Sequence, residues 1–72
     1  MRLRELREDS DIEQKELAAL LNVRQNTYSQ YETGKRLISV YALWKLADYY
    51  NTSIDYIVGR TDERQNRVLV IK

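Results

Sequence analysis

Apolar residues recur every three or four positions over most of this chain, which is the spacing of amphipathic helices. Leu3 and Leu6 share one face of the first such segment, and Leu17, Ala18 and Leu21 share one face of the second. The full pattern predicts five helices, over residues 2–9, 14–21, 25–33, 40–50 and 54–58. We therefore expect an all-α domain.

The residues at the predicted helix ends support these boundaries. Asn22 and Gly34 follow the second and third helices, where a left-handed backbone conformation is needed. Ser39 and Ser53 are good N-caps for the fourth and fifth helices. Gly59 closes the last helix.

The helical pattern stops after Gly59. Residues 60–67 are polar and charged, which predicts a linker or a frayed end. The β-branched run at 68–71 favours a short strand, yet a single strand has nothing to pair with in an all-helical domain. Pairing across a dimer, packing on the helices and staying loose all remain open. We therefore divide the chain into a helical domain, 1–59, and a C-terminal tail, 60–72.

Composition narrows the chemistry that is open to the chain. Its 72 residues make one small domain with no cysteine and no histidine. These absences exclude disulfides, thiol or imidazole catalysis and the usual zinc sites. The carboxylates are scattered among basic neighbours, so we expect no enzyme, no metal and no cofactor.

Membrane association is not expected. The longest apolar run, residues 17–21, is far shorter than the roughly 20 residues that a membrane span needs. The N-terminus is charged at every turn and does not resemble a signal peptide. A chain without cysteine suits the cytoplasm, where we expect this protein to act.

The overall charge of +1 is uninformative, because nucleic-acid binding needs a local patch. Between residues 24 and 36, Arg24, Lys35 and Arg36 outnumber the single acid Glu32, which leaves this segment at +2. The excess is a weak indication of an anionic partner.

The second and third helices have the residues that a sharp helix-turn-helix corner requires. Ala18 is small enough to let the two helices cross closely, Asn22 sets the turn, and Val23 fills the corner. On the third helix, we expect Tyr28 and Tyr31 to be directed inward.

The opposite face of the third helix is polar and uncharged. At about 100° per residue, one side of this helix presents amides and hydroxyls. Amide side chains can pair with adenine N6 and N7 in the major groove, so this face is a candidate recognition surface. A merely solvated face is the alternative. The residues concerned are Gln25, Asn26, Ser29 and Gln30.

Four separated motifs carry a family resemblance: QKELAALLNV (14–23), TYSQYETGKR (27–36), LWKLA (43–47) and SIDYIVG (53–59). In their order and spacing they resemble the phage Cro/repressor-type (XRE-like) helix-turn-helix family. The likeness covers residues 1–59. It implies a five-helix lambda-repressor-like DNA-binding domain that binds operator DNA, commonly as a dimer.

The resemblance also implies roles for individual residues. It places base contacts at Gln25, Asn26 and Gln30, with Ser29 ranked last. It implies that Arg7 and Glu32 form a partly buried, structural ion pair. The expected phosphate contacts are Gln14, Arg24, Thr33, Lys35, Arg36 and Ser39. Glu13 departs from the usual Ser or Thr cap, so we expect the second helix to start weakly or late.

The aromatic residues divide between packing and a possible interface. Trp44, beside Leu43, is expected to be half buried. Tyr41, Tyr49 and Tyr56 are candidates for a protein interface, where tyrosine is enriched. For a dimer, the expected contacts are Tyr56 and Val58 on the fifth helix and, in the tail, Val68, Leu69, Val70 and Ile71.

Taken together, the sequence predicts a sequence-specific regulator of transcription that binds double-stranded DNA. We expect a homodimeric repressor that places helix 25–33 in the major groove of a near-palindromic operator. The alternative is a protein-interaction module, such as an antitoxin-like partner of another protein. The tail favours this alternative, because an exposed strand can add to a partner's sheet.

Overall fold

The computed structural model describes residues 1–64, so the predicted strand at 68–71 lies outside the described residues. It contains five helices: α1 (Leu3–Asp9), α2 (Gln14–Leu21), α3 (Gln25–Thr33), α4 (Val40–Tyr50) and α5 (Ile54–Val58). No strand is present over residues 1–64. The prediction of an all-α, five-helix domain is confirmed.

The helix ends form as the capping residues predict. Asn22 and Gly34 take left-handed conformations, with φ of 58° and 80°, directly after α2 and α3. The hydroxyls of Ser39 and Ser53 each accept a hydrogen bond of 3.0 Å from a backbone N–H in the first turn of α4 and α5. These bonds satisfy donors that a helix start would otherwise leave without a partner.

α2 begins at Gln14, so the expected late start of this helix does not occur. The side chain of Glu16 accepts a hydrogen bond of 3.2 Å from the backbone N–H of Glu13. This contact is the acidic half of a capping box, which stabilises the first turn without a serine or threonine cap.

All five helices contribute to one apolar core. α2 packs on α3, α4 packs on α2 and α5, and α1 packs on α3. The outer face of α3 is polar, so this helix has little apolar surface of its own. Burial of the core side chains therefore holds α3 in place. The buried core residues are Leu3, Leu6, Leu17, Ala18, Tyr28, Leu43, Leu46, Ala47, Tyr56 and Ile57.

The chain after α5 differs from the predicted linker. The guanidinium of Arg2 donates to the carbonyls of Tyr56 and Thr61, at 2.6 and 2.8 Å, and to the carboxylate of Asp62 at 2.7 Å. The backbone N–H of Arg60 also bonds back into α5. The N-terminus thus fastens the chain beyond α5 to the domain, at least as far as residue 62.

Two predictions about aromatic residues are wrong. Tyr56 is only 8% exposed, and its ring lies 4.2 Å from the Arg2 guanidinium, so it belongs to the core and cannot form an interface as expected. Trp44 is 61% exposed and not half buried. The reason is that Leu43 and Leu46 on the inner face of α4 already fill the core, so the neighbouring tryptophan points outward.

Within residues 1–64, none of the helices is both long and apolar enough to cross a membrane.

Candidate nucleic-acid interface

The corner between α2 and α3 is tightly closed. The backbone N–H of Val23 donates to the carbonyl of Ala18 at 2.9 Å, across the left-handed residue Asn22. Ala18 is a buried member of the apolar core. The turn fixes the angle at which α3 leaves α2.

The polar strip of α3 faces away from the core. Gln25 and Asn26 are exposed in the first turn, while Ser29 and Gln30 are half-buried further along. On the other side of the helix, the Tyr28 side chain is fully buried. The structure therefore places the predicted recognition residues on one accessible face.

Basic side chains lie at both ends of α3. Arg24 precedes the helix, Lys35 and Arg36 follow it, and all three are exposed. Thr33 is exposed as well, and its hydroxyl donates to the carbonyl of Gln30 at 3.3 Å. These residues border the amide strip, where they could reach the phosphates of a bound duplex.

The amide of Gln30 is not free. Its oxygen accepts a hydrogen bond of 2.9 Å from the Nε of Arg36. The sequence predicts only a phosphate contact for Arg36. Nothing in the local pattern signals its bond to Gln30, because the two residues are six positions apart with the left-handed Gly34 between them.

Gln14 connects α2 to α3. Its side-chain amide donates to the Glu32 carboxylate at 3.1 Å. This bond braces α3 from the first turn of α2, next to the helix N-terminus that favours anions. The second N–H of the same amide is available to a ligand.

Glu32 is the centre of a buried ionic cluster. Its side chain is 0% exposed, and both of its oxygens accept from the Arg7 guanidinium, at 2.7 and 3.2 Å. Arg4, which is largely exposed, approaches to 3.7 Å. Arg7 also donates to the carbonyl of Ile12 at 3.2 Å. The cluster ties α1, the loop after it and α2 to α3.

The cluster shifts the titration of its members. Burial of the Glu32 carboxylate by itself would raise its pKa, but hydrogen bonds from Arg7 and Gln14 outweigh burial, so the pKa of Glu32 is lowered. Burial raises the pKa of Tyr28, and the nearby Glu32 carboxylate raises it further. Glu32 is therefore ionised at neutral pH.

The lowered pKa of Glu32 predicts a loss of stability in acid. The folded protein holds the proton less readily than the unfolded chain, so the contribution of Glu32 is complete above the ordinary glutamate pKa of about 4.3 and is lost as pH falls through the folded value. Over measurements from about pH 7 to about pH 3, we expect the difference in free energy of unfolding between the native protein and Glu32→Gln to stay constant above about pH 5 and to narrow as pH falls below the ordinary glutamate pKa of about 4.3.

Urea unfolding of both proteins at each pH measures this difference, and titration of the other carboxylates cancels between them. A constant gap over the whole range would contradict the prediction.

The fold and this corner define a helix-turn-helix protein. A helix-turn-helix family model matches residues 3–57, more than half of the chain, and the chain therefore belongs to that family, in its XRE-like branch. The resemblance drawn from the sequence motifs is confirmed.

Relatives from Bacillus subtilis (strain 168) carry the same domain. The HTH-type transcriptional regulator AnsR is 39% identical over 64 residues, which cover 89% of this chain and 55% of that protein. The HTH-type transcriptional regulator ImmR is 39% identical over 61 residues, covering 85% and 48%. The uncharacterized HTH-type transcriptional regulator YobD is 33% identical over 67 residues, covering 93% and 60%.

The chain thus spans about half of the length of the first two relatives. No solved structure matches it significantly. The family and the names of these relatives support DNA-binding transcription regulation as the general role of the domain.

Proposed function

We propose that this protein is a sequence-specific regulator of transcription that binds double-stranded DNA with α3 in the major groove. One observation carries the proposal: the exposed first turn of α3 presents the amides of Gln25 and Asn26, on a helix whose other face is locked into the core. Amide side chains of this kind make bidentate contacts with adenine.

Contacts to phosphate would fix the register of α3. Arg24, Lys35 and Arg36 border the strip and supply the charge, and Thr33 is exposed beside them. One N–H of the Gln14 side-chain amide donates to Glu32. The other N–H would donate to a phosphate at the start of α2. The hydroxyl of Ser39 already caps α4. A phosphate at this position would therefore accept hydrogen bonds from the backbone N–H groups at the start of α4.

A dimer would match the symmetry of a near-palindromic operator. Two copies would place their α3 helices about 34–36 Å apart, in successive major grooves. Half-buried Val58 on α5 remains a candidate contact, and the tail residues Val68, Leu69, Val70 and Ile71 are candidates that lie outside the described residues. We propose that occupation of such an operator represses transcription.

Selection of bound sequences from a random duplex pool, at recorded salt, tests the proposal. We expect an enriched site with two related halves, about 10 base pairs from centre to centre. Affinity should fall with salt, with a log-log slope of about −0.9 for each phosphate contacted. The proposal would be contradicted if the selection enriches no sequence and the affinity does not change with salt concentration.

A protein-interaction role is the second candidate, and the exposed aromatic residues on α4 favour it. Tyr41, Trp44 and Tyr49 are 64%, 61% and 50% exposed, which is unusual for three large aromatic side chains on one helix. A stoichiometric partner that co-purifies with the native protein and is lost with Trp44→Ala would support this role. A clean homodimer for both proteins would not.

A further inference from the structure

A groove lies between the second half of α4 and the start of α5, with a volume of about 380 Å³. Among residues 1–64, its lining contains two carboxylates and an indole but no basic side chain. The lining includes Trp44, Ala47, Asp48, Thr52, Ile54 and Asp55. Neither α3 nor the loop after it contributes to this lining, so a ligand in the groove would leave the proposed DNA-binding surface accessible.

The indole of Trp44 is an accessible aromatic surface in this groove, since the residue is 61% exposed. Two tyrosines of the domain already pair with a cation. The guanidinium of Arg2 lies 4.2 Å from the ring centre of Tyr56, and the ammonium of Lys45 lies 5.3 Å from that of Tyr41. Within residues 1–64, Trp44 has no such contact, although an indole attracts cations more strongly than a phenol does. Its ring is therefore available to a cation from outside the domain.

The domain does not neutralise the two carboxylates of the groove. Asp48 and Asp55 are exposed, and neither carboxylate has an ion-pair partner within the described part of the chain. Lys45 lies one turn before Asp48 on α4, but its ammonium donates to the carbonyl of Leu20 at 3.3 Å, near the end of α2. Both negative charges of the groove are therefore left for a ligand.

We propose that this groove docks a segment of a partner protein through an arginine, whose guanidinium lies against Trp44 and pairs with Asp48 and Asp55. Arginine suits the groove better than lysine, because a planar guanidinium can both stack on an aromatic ring and donate to carboxylates. An apolar residue next to this arginine would contact Ile54. Tryptophan and arginine are also among the residues that contribute most to binding at protein interfaces.

Charge separates the groove from the proposed DNA-binding surface. Arg24, Lys35 and Arg36 border α3 and attract phosphate, whereas the only charged groups that line the groove within residues 1–64 are carboxylates, which repel it. A partner in the groove and a duplex on α3 would therefore not compete. This inference rests on the protein-interaction role proposed above and is independent of the operator that α3 reads.

Selection from a phage-displayed library of short random peptides, with the native protein as the target, tests the proposal. We expect the enriched peptides to share an arginine next to an apolar residue. Trp44 is the only tryptophan of the chain, so its fluorescence measures the affinity of an enriched peptide that lacks tryptophan. The same peptide with citrulline in place of arginine keeps the shape but loses the charge. It should bind about tenfold more weakly, because the cation–π contact and the ion pairs are lost together.

Variants of the lining locate the binding site. Asp48→Asn and Asp55→Asn should each weaken peptide binding by about 2- to 5-fold, the worth of one exposed ion pair. Trp44→Leu should weaken it by about 2- to 5-fold as well, measured by calorimetry because the fluorophore is lost. The matched control is Glu5→Gln with Glu8→Gln, which removes two exposed carboxylates of α1, outside the groove, and should bind the peptide as the native protein does.

The proposal is overturned if the library yields no enriched peptide, if the enriched peptides share no cation, or if Asp48→Asn with Asp55→Asn binds them unchanged. Two further results would overturn it by assigning the groove to this protein itself. Stronger peptide binding by Arg67→Gln would show that the tail competes for the groove, and weaker binding at higher protein concentration would show that a second copy does.

The failure of this inference is distinguishable from that of DNA binding. The carboxylate double variant should select the same duplex sequence as the native protein. If a duplex is selected and no peptide is, only the docking groove is wrong. If peptides are selected through the groove and no duplex is, only the proposed DNA binding is wrong.

Discussion

Replacing Glu32 by alanine is expected to destabilise the protein by about 3–5 kcal/mol, because it breaks a buried ion pair by removing one partner. The substitution leaves the guanidinium of Arg7, which is only 15% exposed, buried without its carboxylate. It also removes the acceptor of the Gln14 amide. Small domains have total stabilities of roughly 5–15 kcal/mol, so a large share of the variant should be unfolded at moderate temperature.

Urea unfolding followed by helical circular dichroism measures this loss. Trp44 fluorescence is a poorer probe, because the exposed indole changes its surroundings little on unfolding. Arg4→Ala is the matched control: it removes the third member of the cluster, but Arg4 is 60% exposed and 3.7 Å from the carboxylate, so we expect a cost of at most about 1 kcal/mol. Similar losses for the two variants would show that burial does not set the strength of the cluster.

Much of this fold could be predicted from short-range features. The apolar spacing fixes the helices, and Asn22, Gly34, Ser39 and Ser53 fix their ends through backbone preferences that act within a few residues. Local chemistry also predicted the exposed amide face of α3, because a helix with tyrosines on one side must bury that side.

Contacts between distant residues could not be predicted in the same way. Arg2 reads as one more charge on an amphipathic helix, and only the folded chain shows that it holds Thr61 and Asp62. The same guanidinium lies 4.2 Å from the ring of Tyr56, which is buried in the core and not at an interface as local patterning predicts. The apolar spacing along α4 likewise does not show how many of its side chains the core can hold. The prediction that Trp44 is half buried is wrong for this reason.

The candidate site shows the same division. Residue types predict the amide strip on α3. They do not predict which of its amides is hydrogen-bonded within the protein, because the partner of Gln30 comes later in the chain. Gln30 and Gln25 are chemically identical, yet only Gln30 is held by an arginine. Which polar atoms of α3 are available to a ligand therefore depends in part on the loop that follows this helix.

Loss of base contacts should be the largest effect on binding. We expect Gln25→Ala and Asn26→Ala each to weaken binding to the selected duplex by about 1–3 kcal/mol, or about 5- to 150-fold, and to relax the preference at one base position per half-site. Both residues are exposed and contribute nothing to the core, so the free energy of unfolding should be nearly unchanged. Titrations of the selected duplex and of a scrambled duplex at one salt concentration measure the two affinities.

Arg24→Ala separates base contacts from charge. Arg24 directly precedes Gln25 and is also exposed. Its loss should weaken binding to the selected and the scrambled duplex alike and reduce the salt slope by about one contact. The amide variants should leave the slope and the scrambled affinity as they are, because a neutral side chain releases no counterions. If Gln25→Ala and Asn26→Ala bind the selected duplex as well as the native protein does, α3 does not read the bases through its first turn.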